Sequence, residues 1–224
     1  MNNLKSKIKF FCRIGFKTLY FNFKYLPFKQ AVHLPFFISR KVYFREISGS
    51  ILLDCPVSPG IVRIGFGDVG IFDDKKSRTI WDVTGTVLFK GKADIGHGSK
   101  IAVGCDGKLV FGRNFQISAE SSIIAFSEIQ FGDNCLLSWD VLIMDTDLHN
   151  IRDLNGNIIN EAKPVLIGDK VWIGCRSLIL KGVSIPCNCI IGANSMVNKS
   201  LEKESCVYAG QPVKYIKEII SWEM

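Results

Sequence analysis

Counted in steps of six from Ile167, the chain yields Ile167, Ile173, Ile179, Ile185, Ile191 and Val197, six β-branched residues without a miss. The same step links Phe131, Leu137 and Ile143, then Phe111, Ile117 and Ile123, then Val83, Phe89, Ile95 and Ile101. A helix repeats near 3.6 residues and a half-buried strand near two, so neither gives this period. A three-sided coil of short parallel strands does: each side turns one aliphatic inward, and stacked coils bury a continuous column. The phase slips between runs, where the interval is ten residues from 101 to 111 and eight from 123 to 131, which bulges at coil corners would absorb. Glycine follows the apolar residue at 95, 111, 131, 167, 173 and 191, where the pattern predicts a turn conformation closed to residues with a Cβ.

The ladder breaks once in its second half. Past Ile143 the next inward slots fall on His149, Asn155 and Glu161 before Ile167 restores the step. Burying three unpartnered polar groups in an aliphatic column costs about 1–3 kcal/mol each, so the chain must leave the prism. The gap from Ile143 to Ile167 equals one ordinary step plus eighteen residues, which lets the chain rejoin in phase. "RDLNGN" (152–157) carries the turn chemistry of a loop tip. His149 therefore stands near the root of an excursion loop over about 145–163.

Charge is distributed unevenly. Residues 1–45 hold ten Lys/Arg and no acid, interleaved with Phe10, Phe11, Phe16, Tyr20, Phe21, Phe23, Tyr25 and Phe28. The other eighteen basic residues stand against all 21 acids, so the net +7 belongs to this arm. A basic aromatic segment reads as peripheral membrane contact or as ordinary packing on its own domain; no nucleic-acid role is expected. No apolar run approaches the ~18 residues of a membrane span. Eight scattered cysteines without a CxxC pair read as reduced thiols of a cytoplasmic protein, on the inner membrane face if the arm makes contact. Three organisational units follow: residues 1–48 as a basic, aromatic, partly helical arm, 49–211 as the prism, and 212–224 as a short capping helix begun by Pro212, with Val213, Ile216 and Ile220 packed inward.

"IGDKVWIG", "GVSIP", "IIGANSMVNKS" and "AGQPVKYIKEI" resemble the hexapeptide-repeat acyltransferases. That resemblance implies an all-β, left-handed parallel β-helix, usually a homotrimer with active sites between neighbouring prisms. With "KTLYFNFKYLPFKQAVHLPFFIS" ahead of the prism, the chain looks most like O-acetyltransferases of lipopolysaccharide, capsule or exopolysaccharide assembly. The implied reaction moves an acetyl group from acetyl-CoA to a sugar hydroxyl of a glycan acceptor, with no metal.

The family's catalytic histidine matches His149. A sugar hydroxyl is a poor nucleophile, and an imidazole suits its deprotonation near neutral pH. Asp145 and Asp147 are the candidates to fix its tautomer, Asp147 favoured slightly. By the same resemblance Trp172, Gly174, Cys175, Gly192, Ala193, Lys199, Lys214 and Lys217 serve acetyl-CoA, the Gly174–Cys175 backbone donating to the thioester and the lysines meeting phosphates. Trp139 and Asp145 are assigned to the acceptor. Trp172 should point outward, and His97, at a coil corner in "IGHGS", should face solvent. "NFQISAESSIIAF" lacks the asparagine and aspartate that galactoside acetyltransferases place there, a departure that argues against simple galactosides. A zinc hydratase on the same prism would need three converging histidines, and the chain has three in all, one of them in the arm. The remaining alternative is a non-catalytic scaffold.

Overall fold

The computed structural model describes residues 15–67, 69–73 and 75–223. Two helices, α1 (Phe16–Tyr25) and α2 (Phe28–Ala31), precede a stack of coils. The first coil is β1 (Phe36–Ile38), β2 (Tyr43–Glu46) and β3 (Ser50–Leu53); the second is β4 (Val62–Phe66), β5 (Ile80–Val83) and β6 (Thr86–Phe89). Then come β7 (Ala93–Gly96), β8 (Lys100–Val103) and β9 (Lys108–Phe111), followed by β10 (Phe115–Ala119), β11 (Ser122–Ala125) and β12 (Glu128–Phe131). The fifth coil is β13 (Leu136–Trp139), β14 (Leu142–Met144) and β15 (Val165–Ile167), and the sixth β16 (Trp172–Ile173), β17 (Leu178–Ile179) and β18 (Ser184–Ile185). β19 (Ile190–Ile191), β20 (Met196–Val197), β21 (Cys206–Gly210) and β22 (Val213–Glu218) complete the chain. Each of these six coils gives one strand to each of three sheets, of nine, seven and six strands in all, and every strand pairing but β21–β22 is parallel.

The six-residue ladder is the core. Every residue of the four runs, from Val83 to Val197, is buried. Register shows how the phase slips are absorbed. Ile95 pairs with Ile117 after twenty-two residues, Ile117 with Leu137 after twenty, and Ile173 with Ile191 after eighteen. Leu137 pairs with Ile173 after thirty-six, twice eighteen, because the excursion loop adds one coil's length without disturbing phase. Inside the six-stranded face, Phe111 stacks between Phe89 (ring centroids 5.0 Å apart) and Phe131 (5.8 Å).

Four expectations need correction. The glycines after the apolar residues are not there for a left-handed backbone. Positive φ falls instead on corner residues such as Asn114, Asn134, Asn188 and Asn194, where short polar side chains tolerate it. A Cβ on Gly112 would lie 2.2 Å from the Gly132 carbonyl oxygen, and one on Gly174 2.6 Å from the Ala193 nitrogen, so it is the approach of successive coils that excludes a side chain. Second, the prism begins inside the segment assigned to the arm. Phe36 and Val42 already turn inward six apart, but the next slots, Ser48 and Asp54, hide the phase.

Third, the C-terminal segment is a strand, not a helix. β22 pairs antiparallel with β21 through a turn at Gly210, whose φ is +110°. The exposed edge of β21 offers a full backbone ladder, which a short helix cannot use, and Ile216 and Ile220 stay exposed. Fourth, His97 is buried. Ser77 Oγ lies 2.9 Å from its Nδ1 and the Phe72 ring packs edge-on, because the segment between β4 and β5 folds over that corner.

Phe111→Ala removes the middle ring of the stack, and its cost is expected at about 3–5 kcal/mol by urea denaturation. Leu166→Ala, on the outer face of the same sheet, should change stability by less than about 0.5 kcal/mol in the same measurement.

Candidate active site

β14 ends at Met144, and the chain leaves the prism at the edge between the seven- and six-stranded sheets. Its departure is fixed by Asp145. This side chain is fully buried, and its two oxygens accept the backbone N–H groups of Phe126 and Ser127, both at 2.8 Å. Burial pushes its carboxyl up, opposed by those backbone donors. The Asp145 carbonyl also accepts the Lys163 N–H at 2.9 Å, closing the loop at its root. Asp145 is thus committed to the coil corner, and neither of its oxygens is presented to a histidine or an acceptor.

Thr146 Oγ1 accepts the N–H of Leu148, which takes a left-handed φ of +62°, uncommon for a bulky residue. That turn delivers His149 to the surface, where it is exposed. Asn160, from the returning limb, donates to the His149 carbonyl and to Asp147 Oδ2, both at 2.8 Å. Lys181, one coil further on, binds Asp147 and the Asn160 carbonyl. Asp147 therefore clamps the loop to the prism and does not touch the imidazole. The Lys181 ammonium and the Asn160 amide hold its carboxyl below the usual aspartate range. At the tip, Asp153 Oδ1 accepts the N–H groups of Asn155 and Asn157, the turn that "RDLNGN" predicts.

The residues assigned to the donor lie elsewhere. Trp172, Gly174, Gly192, Ala193, Lys214 and Lys217 follow the nine-stranded sheet through β16, β19, β21 and β22, with Cys175 and Trp139 at its trailing edge. Arg176 N–H reaches the Trp139 carbonyl at 3.0 Å, which places Trp139 beside Cys175. Lys199 falls after β20, on the edge that carries His149, away from Lys214 and Lys217. His149 and the residues assigned to the donor therefore lie on two different edges of one prism.

Two assignments change in detail. Gly174 N–H is committed to the Ile191 carbonyl at 2.7 Å, as the tight spacing of coils requires, whereas Cys175 N–H has no acceptor among the described residues. Trp172 does point outward, but its Nε1–H donates to Ser138 Oγ at 3.1 Å and its ring meets Trp222 at 5.9 Å. Trp222 is anchored by its own Nε1–H to the Lys170 carbonyl at 2.7 Å. Sequence reasoning missed Trp222, Lys181 and Asn160. The six-residue phase could have found Lys181, which follows the inward Ile179 by two; the others carry no local signal.

The two aspartates are separable by experiment. Asp145→Ala strips acceptors from two backbone donors, and a loss of about 1–3 kcal/mol is expected by urea denaturation. Asp147→Asn should leave global stability unchanged and instead speed cleavage at the exposed Leu154 about two- to fivefold in limited proteolysis. Because the Asp147 carboxyl is depressed in the fold, its clamp is fully present above the ordinary aspartate value near ~3.9 and is lost as pH falls through the lower folded value. Protection of the wild-type loop should follow that course.

No family model matches the sequence. Galactoside O-acetyltransferase of Escherichia coli K12 is 35% identical over 108 residues, covering 48% of this chain and 53% of that protein. Polysialic acid O-acetyltransferase of E. coli O1:K1 is 34% identical over 117 residues, 51% of this chain and 38% of that protein. The chain thus spans about half, or less, of the length of these relatives. YJL218W of Saccharomyces cerevisiae, named as a candidate acetyltransferase, is 32% identical over 154 residues, covering 66% of this chain and 72% of that protein. Among solved structures, the polySia specific acetyltransferase NeuO superposes with a TM-score of 0.50 at 24% identity, covering 82% of this chain and 72% of that chain, a likeness of fold. With a left-handed parallel β-helix of this kind and kinship at that level and extent, the chain belongs to the hexapeptide-repeat acyltransferases.

Proposed function

We propose that the chain is an O-acetyltransferase that moves the acetyl group of acetyl-CoA to a sugar hydroxyl of a cell-surface polysaccharide or its precursor. The observation that carries this reading is the excursion loop. It is the feature that breaks the aliphatic ladder of the later coils, it is clamped at root and middle, and it exposes one imidazole. The kinship with enzymes named for galactoside and polysialic acid O-acetylation supports a sugar acceptor.

In this reading His149 takes the proton of the acceptor hydroxyl as that oxygen attacks the thioester carbonyl. The tetrahedral adduct collapses, the C–S bond breaks, and the thiolate of coenzyme A leaves, taking the proton back from the imidazolium. Cys175 N–H serves as the donor to the developing oxyanion in place of Gly174 N–H. Trp172, Gly192 and Ala193 line the pantetheine path, and Lys214 and Lys217 meet phosphate. Lys199 belongs with the His149 edge, where an acceptor would approach. Asp147 acts on His149 at one remove, by holding the loop.

Base and donor surface sit on different edges of one prism, so the reading requires a second copy to bring its His149 edge against this chain's donor edge, as a homotrimer does. The enzyme would work in the cytoplasm, at the inner face of the cytoplasmic membrane where lipid-linked acceptors are exposed. Transfer of labelled acetyl from acetyl-CoA to undecaprenyl-linked glycans tests it. His149→Ala is expected to lower turnover by about 10²–10⁴-fold while the melting curve and acetyl-CoA affinity hold. Undiminished transfer by His149→Ala would contradict the role of the base, and a protein that binds glycan without turnover would be a scaffold.

A further inference from the structure

Helix α1 is inverted. Its inward face carries Thr18 and Asn22 beside Phe21, all buried. Asn22 Nδ2–H donates to the Phe36 carbonyl at 2.8 Å, and its Oδ1 accepts the Phe36 N–H at 3.0 Å. Thr18 Oγ1 does the same for Ile38, donating at 3.1 Å and accepting at 2.9 Å. Two side chains thus replace a neighbouring strand along the free edge of β1, where unpaired backbone groups would otherwise stand. Phe21 meets Phe36, Phe44 and Trp81, and the Tyr25 hydroxyl donates to the Ile47 carbonyl, so the helix lies across the N-terminal end of the prism.

These bonds fix the helix's rotation and force its apolar stripe outward. Phe16, Leu19, Tyr20 and Phe23, spaced at i, i+3, i+4 and i+7, are 77%, 46%, 40% and 47% exposed, and Phe28 of α2 extends the stripe. With Lys24 they line a shallow apolar depression. An aromatic stripe of this size on a monomer surface marks a contact. The charge of this segment identifies the partner: the described residues 15–45 bear six Lys/Arg and no acid. Among the described residues no helix is long and apolar enough to cross a membrane, so such a face would lie on a bilayer rather than span it.

We propose that the outward face of α1 and α2 docks on an anionic lipid bilayer, with the prism axis standing off the membrane. This deepens the reading of the chain as an enzyme at the membrane, and rests on it for the acceptor. Stacked strands are about 4.8 Å apart and the His149 loop leaves the fifth coil, so the base stands roughly 20 Å above the first coil. A lipid-linked acceptor must therefore present its reacting hydroxyl several sugars away from its lipid.

Co-sedimentation with phosphatidylcholine vesicles, with and without phosphatidylglycerol, tests the docking. The wild type is expected to pellet with the phosphatidylglycerol vesicles, weakly with phosphatidylcholine alone, and less as salt is raised. Phe16→Ser with Phe23→Ser should cut partitioning by about tenfold or more while the melting curve, sedimentation coefficient and transfer to a soluble acceptor stay unchanged. Failure of the wild type to pellet, or equal pelleting of the variant, overturns the proposal. So does a smaller sedimentation coefficient for the variant, since the stripe would then cover a second copy of the chain. Loss of acetyl transfer with vesicle binding intact would tell against the enzymatic reading and leave the docking standing.

Discussion

The structure depends on one packing constraint: an inward side chain touches its counterparts in the coils above and below, so the column accepts only apolar groups of similar depth. From Val83 to Val197 every position of the ladder is buried, and coils of eighteen, twenty and twenty-two residues all preserve it by taking up their excess at corners. The glycines beside the ladder serve the same end, since a Cβ there would strike the backbone of the next coil. Stability and the placement of functional groups are therefore a single problem. A polar stretch cannot be accommodated and has to be expelled at an edge.

The expelled loop is well controlled. Asp145 ties its exit to the corner of the preceding coil, Lys163 closes its root, and Asp147 bridges to Lys181 on the following coil. His149 is left exposed on a braced segment, the arrangement that the proposed general base requires. The same geometry holds on the edge proposed for the donor, where Gly174 allows the coils to approach and so spends its own N–H on Ile191. Under the proposed mechanism, the two edges of one prism are brought together only between copies of the chain.

The inward ladder, the stack of coils and the exit of the loop were legible in the sequence because burial imposes a strict period on apolar residues. Features set by edges were not. β22 lies flat because β21 offers an open ladder, information that "PVKYIKEIISW" does not contain. α1 turns its aromatics outward because Asn22 and Thr18 satisfy β1, although a helical wheel alone would bury the aromatics. His97 is covered by a segment twenty residues earlier, and Trp222 reaches back to Trp172 across fifty. Of the candidate site, the position of His149 was readable from phase. The partners of Asp145 and Asp147 were not, since both carboxylates sit in the same hexapeptide and only the fold sends one inward and the other to Lys181.

The most direct measurement is a crystal structure of the assembled protein with coenzyme A bound. The His149 ring of one protomer is expected within about 3–4 Å of the thiol of coenzyme A held against Trp172 and Cys175 of its neighbour, a distance bridged by a hydrogen bond or one water. Coenzyme A seated on an edge that no protomer's His149 can reach would contradict the central claim.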